Sequence, residues 1–345
     1  MKRARLIMNP ISGVDEPNPM KLPDIIAALD AEDIRAELAF TKPDESPMLL
    51  AQEAAKEDYD LVIVGGGDGT VSEVAKGLLH ASIPLGIVPF GTYNNIARSL
   101  NLPMELAQAC QVLARGQVKS IDVGIANDQH YFFEAAGVGL DAVLFPLGEE
   151  IKGGRWGRML QAFQLAMGYQ PQLIGIQLDR PIGEARTRPA PRRRFLLRRI
   201  AARTEFQLQA LLVVIANGPY YGTGFMVAPD AVLDDGLLTV AIYRGFSKWE
   251  LLRHFWSISR GQYHYNPKIE TYQVASIRLS SKSMLPVHID GHPIGQVPVT
   301  FKILNQALKV MVPAIDTPTY QSQDDPNPPV ALPADSQPST GKSQE

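Results

Sequence analysis

The sequence predicts a two-part α/β protein, with an N-terminal Rossmann-like nucleotide-binding domain built on a parallel sheet and then a mainly β sandwich domain. Three observations carry this. Short apolar runs in the N-terminal third end in turn residues and alternate with helix-like stretches, which is the βα rhythm of a parallel sheet. Beyond residue 125 that rhythm gives way to strand-like runs separated by Gly-rich turns. The chain has 345 residues, more than the ~250–300 at which a single core stops growing.

The strand-like runs of the first part are Arg5 to Met8, Arg35 to Phe40, Leu61 to Val64 and Leu85 to Val88. Between them Met20 to Asp30, Pro47 to Lys56 and Val71 to His80 carry apolar residues at mixed three and four spacing, as covering helices do. A further helix is expected around Glu105 to Arg115, ahead of a strand at Lys119 to Val123, and the first domain is placed at 1–125. In the second, at 126–302, strands are expected at Gln172 to Leu178, Phe206 to Ile215, Leu237 to Tyr243 and Ser276 to Leu279, with helices only at Trp156 to Gly168 and Lys248 to Arg260. The prolines and arginines of 180–203 read as a long hairpin insertion. The last thirty residues hold six prolines and few large apolar side chains, so 316–345 reads as a disordered tail.

Composition narrows the function classes. Hydrophobic residues make up 45% and charged residues 20%, as in an ordinary globular protein. The net charge of −3 conceals nine arginines against Glu184 alone in 180–203, and five acids against Lys342 in 316–345. Cys110 is the single cysteine, so no internal disulfide is available and a reducing, cytoplasmic setting is expected. The apolar run after the basic start, Leu6-Ile7-Met8, is far shorter than a signal-peptide core. No run approaches the ~18 apolar residues of a spanning helix, so membrane contact is expected to be peripheral, at the inner surface. The basic insertion has three readings: a solvated loop, a nucleic-acid patch, or a contact for anionic lipid, to which each basic residue adds about 1 kcal/mol. It lacks an aromatic stacking pattern, so nucleic acid is not the expected partner.

Leu61-Val62-Ile63-Val64 runs directly into Gly65-Gly66-Gly67-Asp68-Gly69-Thr70 and then a helix. Glycines let backbone approach an anion, and helix-start N–H groups favour negative charge, so this turn suits a phosphate. Asp68 among phosphates makes sense beside a magnesium ion or a proton to be accepted. A second Gly-rich turn, Phe90-Gly91-Thr92-Tyr93-Asn94-Asn95-Ile96-Ala97-Arg98, follows the next strand. The first strand ends in Asn9-Pro10-Ile11-Ser12-Gly13 and the second in Thr41. Strand carboxyl ends share one edge of a parallel sheet, where ligands bind. Each turn alone is equally well a plain connection; four on one edge point to a nucleotide.

These turns, with Ala216-Asn217-Gly218-Pro219-Tyr220-Tyr221-Gly222-Thr223-Gly224, Ala228 to Leu238, and Ile289-Asp290-Gly291-His292-Pro293, resemble the diacylglycerol kinase catalytic-domain family, which includes soluble bacterial lipid kinases and the sphingosine and ceramide kinases. The resemblance covers about residues 5 to 313. It implies an ATP-binding α/β domain followed by a β-sandwich that takes the lipid, with the active site between them and a last strand, near 303–313, returning to the first domain. It implies transfer of the ATP γ-phosphate to a hydroxyl of a diacylglycerol-like lipid, as in phospholipid synthesis. The implied ATP contacts are Asn9, Ser12, Thr41, Gly66, Gly67, Asp68, Gly69, Thr70, Val71, Ser72 and Thr92, with catalytic Mg2+ near Asp68 and Asp122 as a second acid of that network. The Val232 to Leu237 loop resembles a structural Mg2+ site, with the Asp235 carboxylate and the carbonyls of Val232 and Leu237 as ligands; a plain turn into a strand explains it as well.

Two positions depart from the family pattern. Asn95 stands where Asp is usual, and His292 where the Glu presumed to be the base on the lipid hydroxyl is usual. Imidazole is suited to accepting a proton at neutral pH, so catalytic work is expected of Asp68, Asp122 and His292. The alternatives are that Asp68 acts and His292 stands by, or that the chain is a catalytically silent nucleotide- or lipid-binding protein. A soluble-metabolite kinase of the NAD kinase type is a further rival, against which the Tyr93 to Arg98 run argues. Oligomeric state is unreadable.

Overall fold

The structure, a computed structural model, describes residues 1–9, 22–41, 46–142, 164–165, 167–185, 203–258 and 266–314. The N-terminal part is β1 (Lys2–Met8), α1 (Leu22–Ala31), β2 (Ile34–Phe40), α2 (Pro47–Ala54), β3 (Leu61–Gly66), α3 (Asp68–Gly77), β4 (Leu85–Pro89), α4 (Asn95–Ser99) and α5 (Leu106–Arg115). Strands β2, β1, β3 and β4 lie side by side in that order, all parallel. Their apolar residues alternate between two cores. Leu61 and Ile63 pack with Ile25 and Leu29 of α1 and Leu113 of α5, while Val62 and Val64 pack with Leu50 of α2 and Val71 and Val74 of α3. Helices on both faces explain why the central strands β3 and β4 carry no charged residue and are buried throughout.

The remaining strands are β5 (Gln117–Ala126), β6 (His130–Phe132), β7 (Ala135–Gly139), β8 (Gln172–Leu178), β9 (Glu205–Ala210), β10 (Leu212–Ala216), β11 (Tyr220–Tyr221), β12 (Phe225–Met226), β13 (Leu238–Tyr243), β14 (Ile269–Val274), β15 (Ser276–Ser281), β16 (Pro286–Ile289), β17 (His292–Gln296) and β18 (Val299–Val312). One helix, α6 (Lys248–Ile258), follows β13. An antiparallel sheet in the order β14-β13-β10-β7-β16-β17 faces β8, β9, β15 and part of β18, and Val138, Val213, Ile215 and Ile242 meet Ile174, Ile176, Ile277 and Phe301 between them. This is the sandwich expected from the sequence.

The two parts share a sheet. β18 lies parallel to β4 through Val310 and Leu85, and antiparallel to β5 over Gln117 to Ala126 and to β15 over Ser276 to Leu279. It thereby joins β4 to β15 in one continuous order. β5 and β18 thus run across the positions, 125 and 302, at which domain limits are read from sequence. The run Phe206 to Ile215 is not one strand: the chain breaks at Leu211, and β9 and β10 enter different sheets. β8 and β9 are antiparallel neighbours, so the basic insertion does connect a hairpin, although 186–202, like 316–345, lies outside the described residues. No helix among the described residues is long and apolar enough to cross a membrane.

Candidate active site

The register of the parallel strands sets the site. Met8 stands opposite Phe40 and Gly65, and Gly66 opposite Pro89, so Asn9, Thr41, Gly67 and Phe90 emerge on one edge. There the two Gly-rich turns press backbone to backbone. A Cβ on Gly67 would lie 3.1 Å from the Gly91 Cα, and one on Gly91 would collide with the Gly67 Cα, so a side chain at either would push the two turns apart. α3 begins directly after Gly67 and has no side-chain cap, leaving its first N–H groups for a ligand. Of the run 66–72, two side chains turn inward along α3. Val71 is in the core and its N–H donates to the Gly67 carbonyl (3.0 Å), and Ser72 is buried. Gly66 is buried at the end of β3, and Gly67, Asp68, Gly69 and Thr70 lie at the edge. Thr92 is exposed in the second turn, Thr41 is tied to Met8 at the end of β2, and Ser12 lies outside the described residues.

Asp68 is the first residue of α3, and its Oδ1 accepts the N–H of Ile96 at 3.0 Å. It therefore caps α4, whose entry is bent by Asn94 in the left-handed region (φ 51°) with its side chain clasping both backbone groups of Gly91. Burial pushes the Asp68 carboxyl above its ordinary range, against the opposing pull of the α4 amides. The second part brings two more acids to this place, neither singled out as a site residue from sequence. Asp290 sits at the β16–β17 turn and accepts N–H groups of Phe133, Glu134 and Ala135 at 2.8–3.1 Å. Glu134, in the segment before β7, accepts the Asn95 amide at 2.8 Å and the Gly222 N–H at 3.2 Å. Its carboxyl is held well above the ordinary range, first by burial and then by the charges of Asp68 and Asp290. The signal for Glu134 was legible as one acid in the otherwise uncharged run Tyr131 to Leu140.

Behind these acids Tyr221, His288 and Asp141 form a buried group, with the His288 Nε2 3.0 Å from both the Tyr221 hydroxyl and the Asp141 Oδ2. His292 is exposed at the start of β17, and its Nδ1 lies 3.0 Å from the Asp290 carbonyl. A carbonyl can only accept, so Nδ1 carries the hydrogen and the neutral ring presents Nε2 as acceptor.

Asp122 is held elsewhere. Its carboxylate accepts the N–H groups of Gly236 and Gln306, each at 2.7 Å, bracing the 233–236 turn against β18, and no described hydrogen bond joins it to Asp68. In that turn Asp235 accepts from the Leu237 N–H at 2.9 Å, and burial, with Asp122 and Asp234 close by, raises its carboxyl; Val232 is half exposed. Among the described residues no cluster of three His, Cys, Asp or Glu side chains could hold a metal alone, so any ion there needs backbone carbonyls. A cleft of about 470 Å³ lies beside this turn and is lined by Arg98, Lys119, Tyr220, Val232 and Asp234. It touches none of Asp68, Glu134 and Asp290.

Comparison with known proteins agrees with this geometry. Residues 3–126 match the diacylglycerol kinase catalytic domain, and residues 193–312 match the YegS C-terminal NAD kinase beta sandwich-like domain. The chain is 27% identical over 316 residues to the diacylglycerol kinase of Staphylococcus carnosus (strain TM300), covering 90% of this chain and 95% of the relative. For the diacylglycerol kinase of Staphylococcus saprophyticus subsp. saprophyticus the figures are 29%, 90% and 96%. The fold matches the crystal structure of a diacylglycerol kinase from Bacillus anthracis str. Sterne with a TM-score of 0.66 at 22% identity, covering 90% of this chain and 97% of that one. With a catalytic-domain match over its parallel-sheet part and a sandwich match over its β part, the chain belongs to the diacylglycerol kinase catalytic-domain family of lipid kinases.

Proposed function

We propose that this protein transfers the γ-phosphate of ATP to a hydroxyl of a diacylglycerol-like lipid. The observation that carries the reading is the meeting of Asp68, at the two phosphate-sized turns of the first part, with Asp290 and Glu134 from the second. The contact of Gly67 with Gly91 sets the two Gly-rich turns side by side on one edge, and the N–H groups at the start of α3 suit phosphate oxygens. Asp68 fits a magnesium ion as a hard oxygen ligand, and the Asp235 carboxylate fits a second ion completed by the Val232 and Leu237 carbonyls. Bound magnesium would neutralise charge building up on the phosphates.

In this reading the lipid hydroxyl enters beside His292. Its oxygen bonds to the γ-phosphorus as the bond from that phosphorus to the ADP oxygen breaks, and its proton passes to His292 Nε2. Asp68 and the α3 amides hold the phosphates; Asp290, by gathering three backbone N–H groups, fixes the segment that carries Glu134. The lipid's membrane is met from the cytoplasmic side, with the arginines of 180–203 against anionic headgroups. Incubation of labelled ATP with a panel of dispersed lipid alcohols tests the assignment: label is expected in a phosphatidic-acid-like product, and label in NAD(H) or in no acceptor contradicts it.

A further inference from the structure

Glu134 takes part in none of these steps, yet it ties the two halves of the site together. Both hydrogens of the Asn95 amide go to oxygens, Glu134 Oε2 and the Gly222 carbonyl, each at 2.8 Å. The Gly222 N–H returns to the same Glu134 oxygen at 3.2 Å. Asn95 is 1% exposed and Glu134 8%. The orientation of the amide follows, because exchanging its oxygen and nitrogen would set an oxygen against the Gly222 carbonyl, which can only accept. That orientation leaves Asn95 Oδ1 buried without a partner, which costs stability. A pocket that needed only to be filled would not keep a buried acid, already crowded by Asp68 and Asp290, bonded to an amide with an orphaned oxygen.

We infer that Asn95 and Glu134 are an exchanged acid–amide pair, in which Glu134 supplies the carboxyl group that the family pattern places at position 95. Glu134 acts as a positioning residue. Its hydrogen bond holds Asn95 at the first turn of α4, the next N–H along, that of Ile96, holds Asp68, and the same oxygen locks the Gly222 turn of the second part onto that assembly. The inference rests on the lipid kinase reading for its activity readout, but the pairing itself also has a readout in stability.

The test compares the full-length wild type with Glu134→Gln, Asn95→Asp and the double variant. Glu134→Gln keeps the size and one acceptor oxygen and removes only the acid. It should lower kcat about 10²-fold with KM for ATP little changed, the scale of a misplaced reacting group. Asn95→Asp, which sets a second acid against Glu134, should fall at least as far. The double variant restores one acid and one amide in the opposite order, although Asn95→Asp still sets an oxygen against the Gly222 carbonyl, and it should turn over faster than the product of the two single losses, since groups in contact are not additive. A purely structural hydrogen bond would leave Glu134→Gln near wild type. That result, or a double variant as slow as the product of the singles, overturns the inference. If Asn95→Asp does not fold, Glu134→Gln and the double variant decide it. If the wild type phosphorylates no lipid, the proposed function fails and thermal unfolding of the same four proteins decides the pairing. A double variant that melts higher than the summed single shifts supports it; additive shifts refute it.

Discussion

His292 stands two residues after Asp290, free of the acid cluster and exposed, with one ring nitrogen turned to its own turn and the other left as acceptor. Its removal therefore disturbs nothing that Asp290 or Glu134 holds. His292→Ala should lower kcat with saturating lipid by about 10²–10⁴-fold, the usual worth of a placed proton acceptor, without moving the melting temperature. His292→Glu should retain activity, because a carboxylate in the same place can take the same proton. Turnover of His292→Ala within a few-fold of wild type would transfer the role to Asp68 or water. At this scale the sequence was informative where a residue type is tied to a turn: Asp68 after three glycines is where it was expected. It was less so where burial decides. Val71 and Ser72 share a motif with Asp68 but sit on the inward face of α3, and Asp122 spends its carboxylate on Gly236 and Gln306, partners far off along the chain. Glu134 and Asp290 become site residues only because folding brings distant segments together.

The elements that build the acid cluster are β7 and the β16–β17 hairpin, and they leave almost no room between them. Gly137 of β7 faces His288 across the sheet, and a Cβ there would strike both the His288 ring and the Asp141 carboxylate. Gly137→Ala should destabilise the protein by about 1–3 kcal/mol, as overpacking does, seen as a lower melting temperature. An unchanged melting temperature would mean that the Tyr221–His288–Asp141 group is loosely held. The hairpin itself has a local signal: Asp290 (φ 42°) and Gly291 (φ 82°) are both in the positive-φ region, the conformation that Asp-Gly favours in two-residue turns. The break at Leu211 has none. Phe206 to Ile215 contains no glycine or proline, and the chain divides there because β9 pairs with β8 while β10 pairs with β7 and β13. The parallel strands were readable to within a few residues, since two covered faces demand continuous apolar runs bounded by turns.

At the scale of the molecule, β18 runs through both parts, so the acids of the second part are held against the carboxyl edge of the parallel strands by a shared sheet and not by a linker. The resulting cluster couples stability to pH. Asp68, Glu134 and Asp290 are all raised above their ordinary values by burial, so the folded state binds protons more tightly than the unfolded chain. Their contribution to stability is full below about pH 4 and is lost as pH rises through the raised values. Glu134→Gln removes the most enclosed of the three, and in the metal-free protein its melting temperature should gain on wild type as pH rises from about 4.5 to 8. A constant difference would deny the coupling. Deletion of 186–202 should weaken binding to vesicles containing anionic lipid, most of all at low salt, where charge is least screened. Unaltered binding would make the arginines a solvated loop. The most direct measurement of the central claim is transfer of labelled γ-phosphate from ATP to dispersed diacylglycerol by wild type and Asp68→Asn. Asn at 68 still accepts the Ile96 N–H but lacks the charge, so the account predicts labelled phosphatidic acid from wild type and at least about a 10²-fold loss in the folded variant. Comparable labelling by both proteins, or none by either, would contradict it.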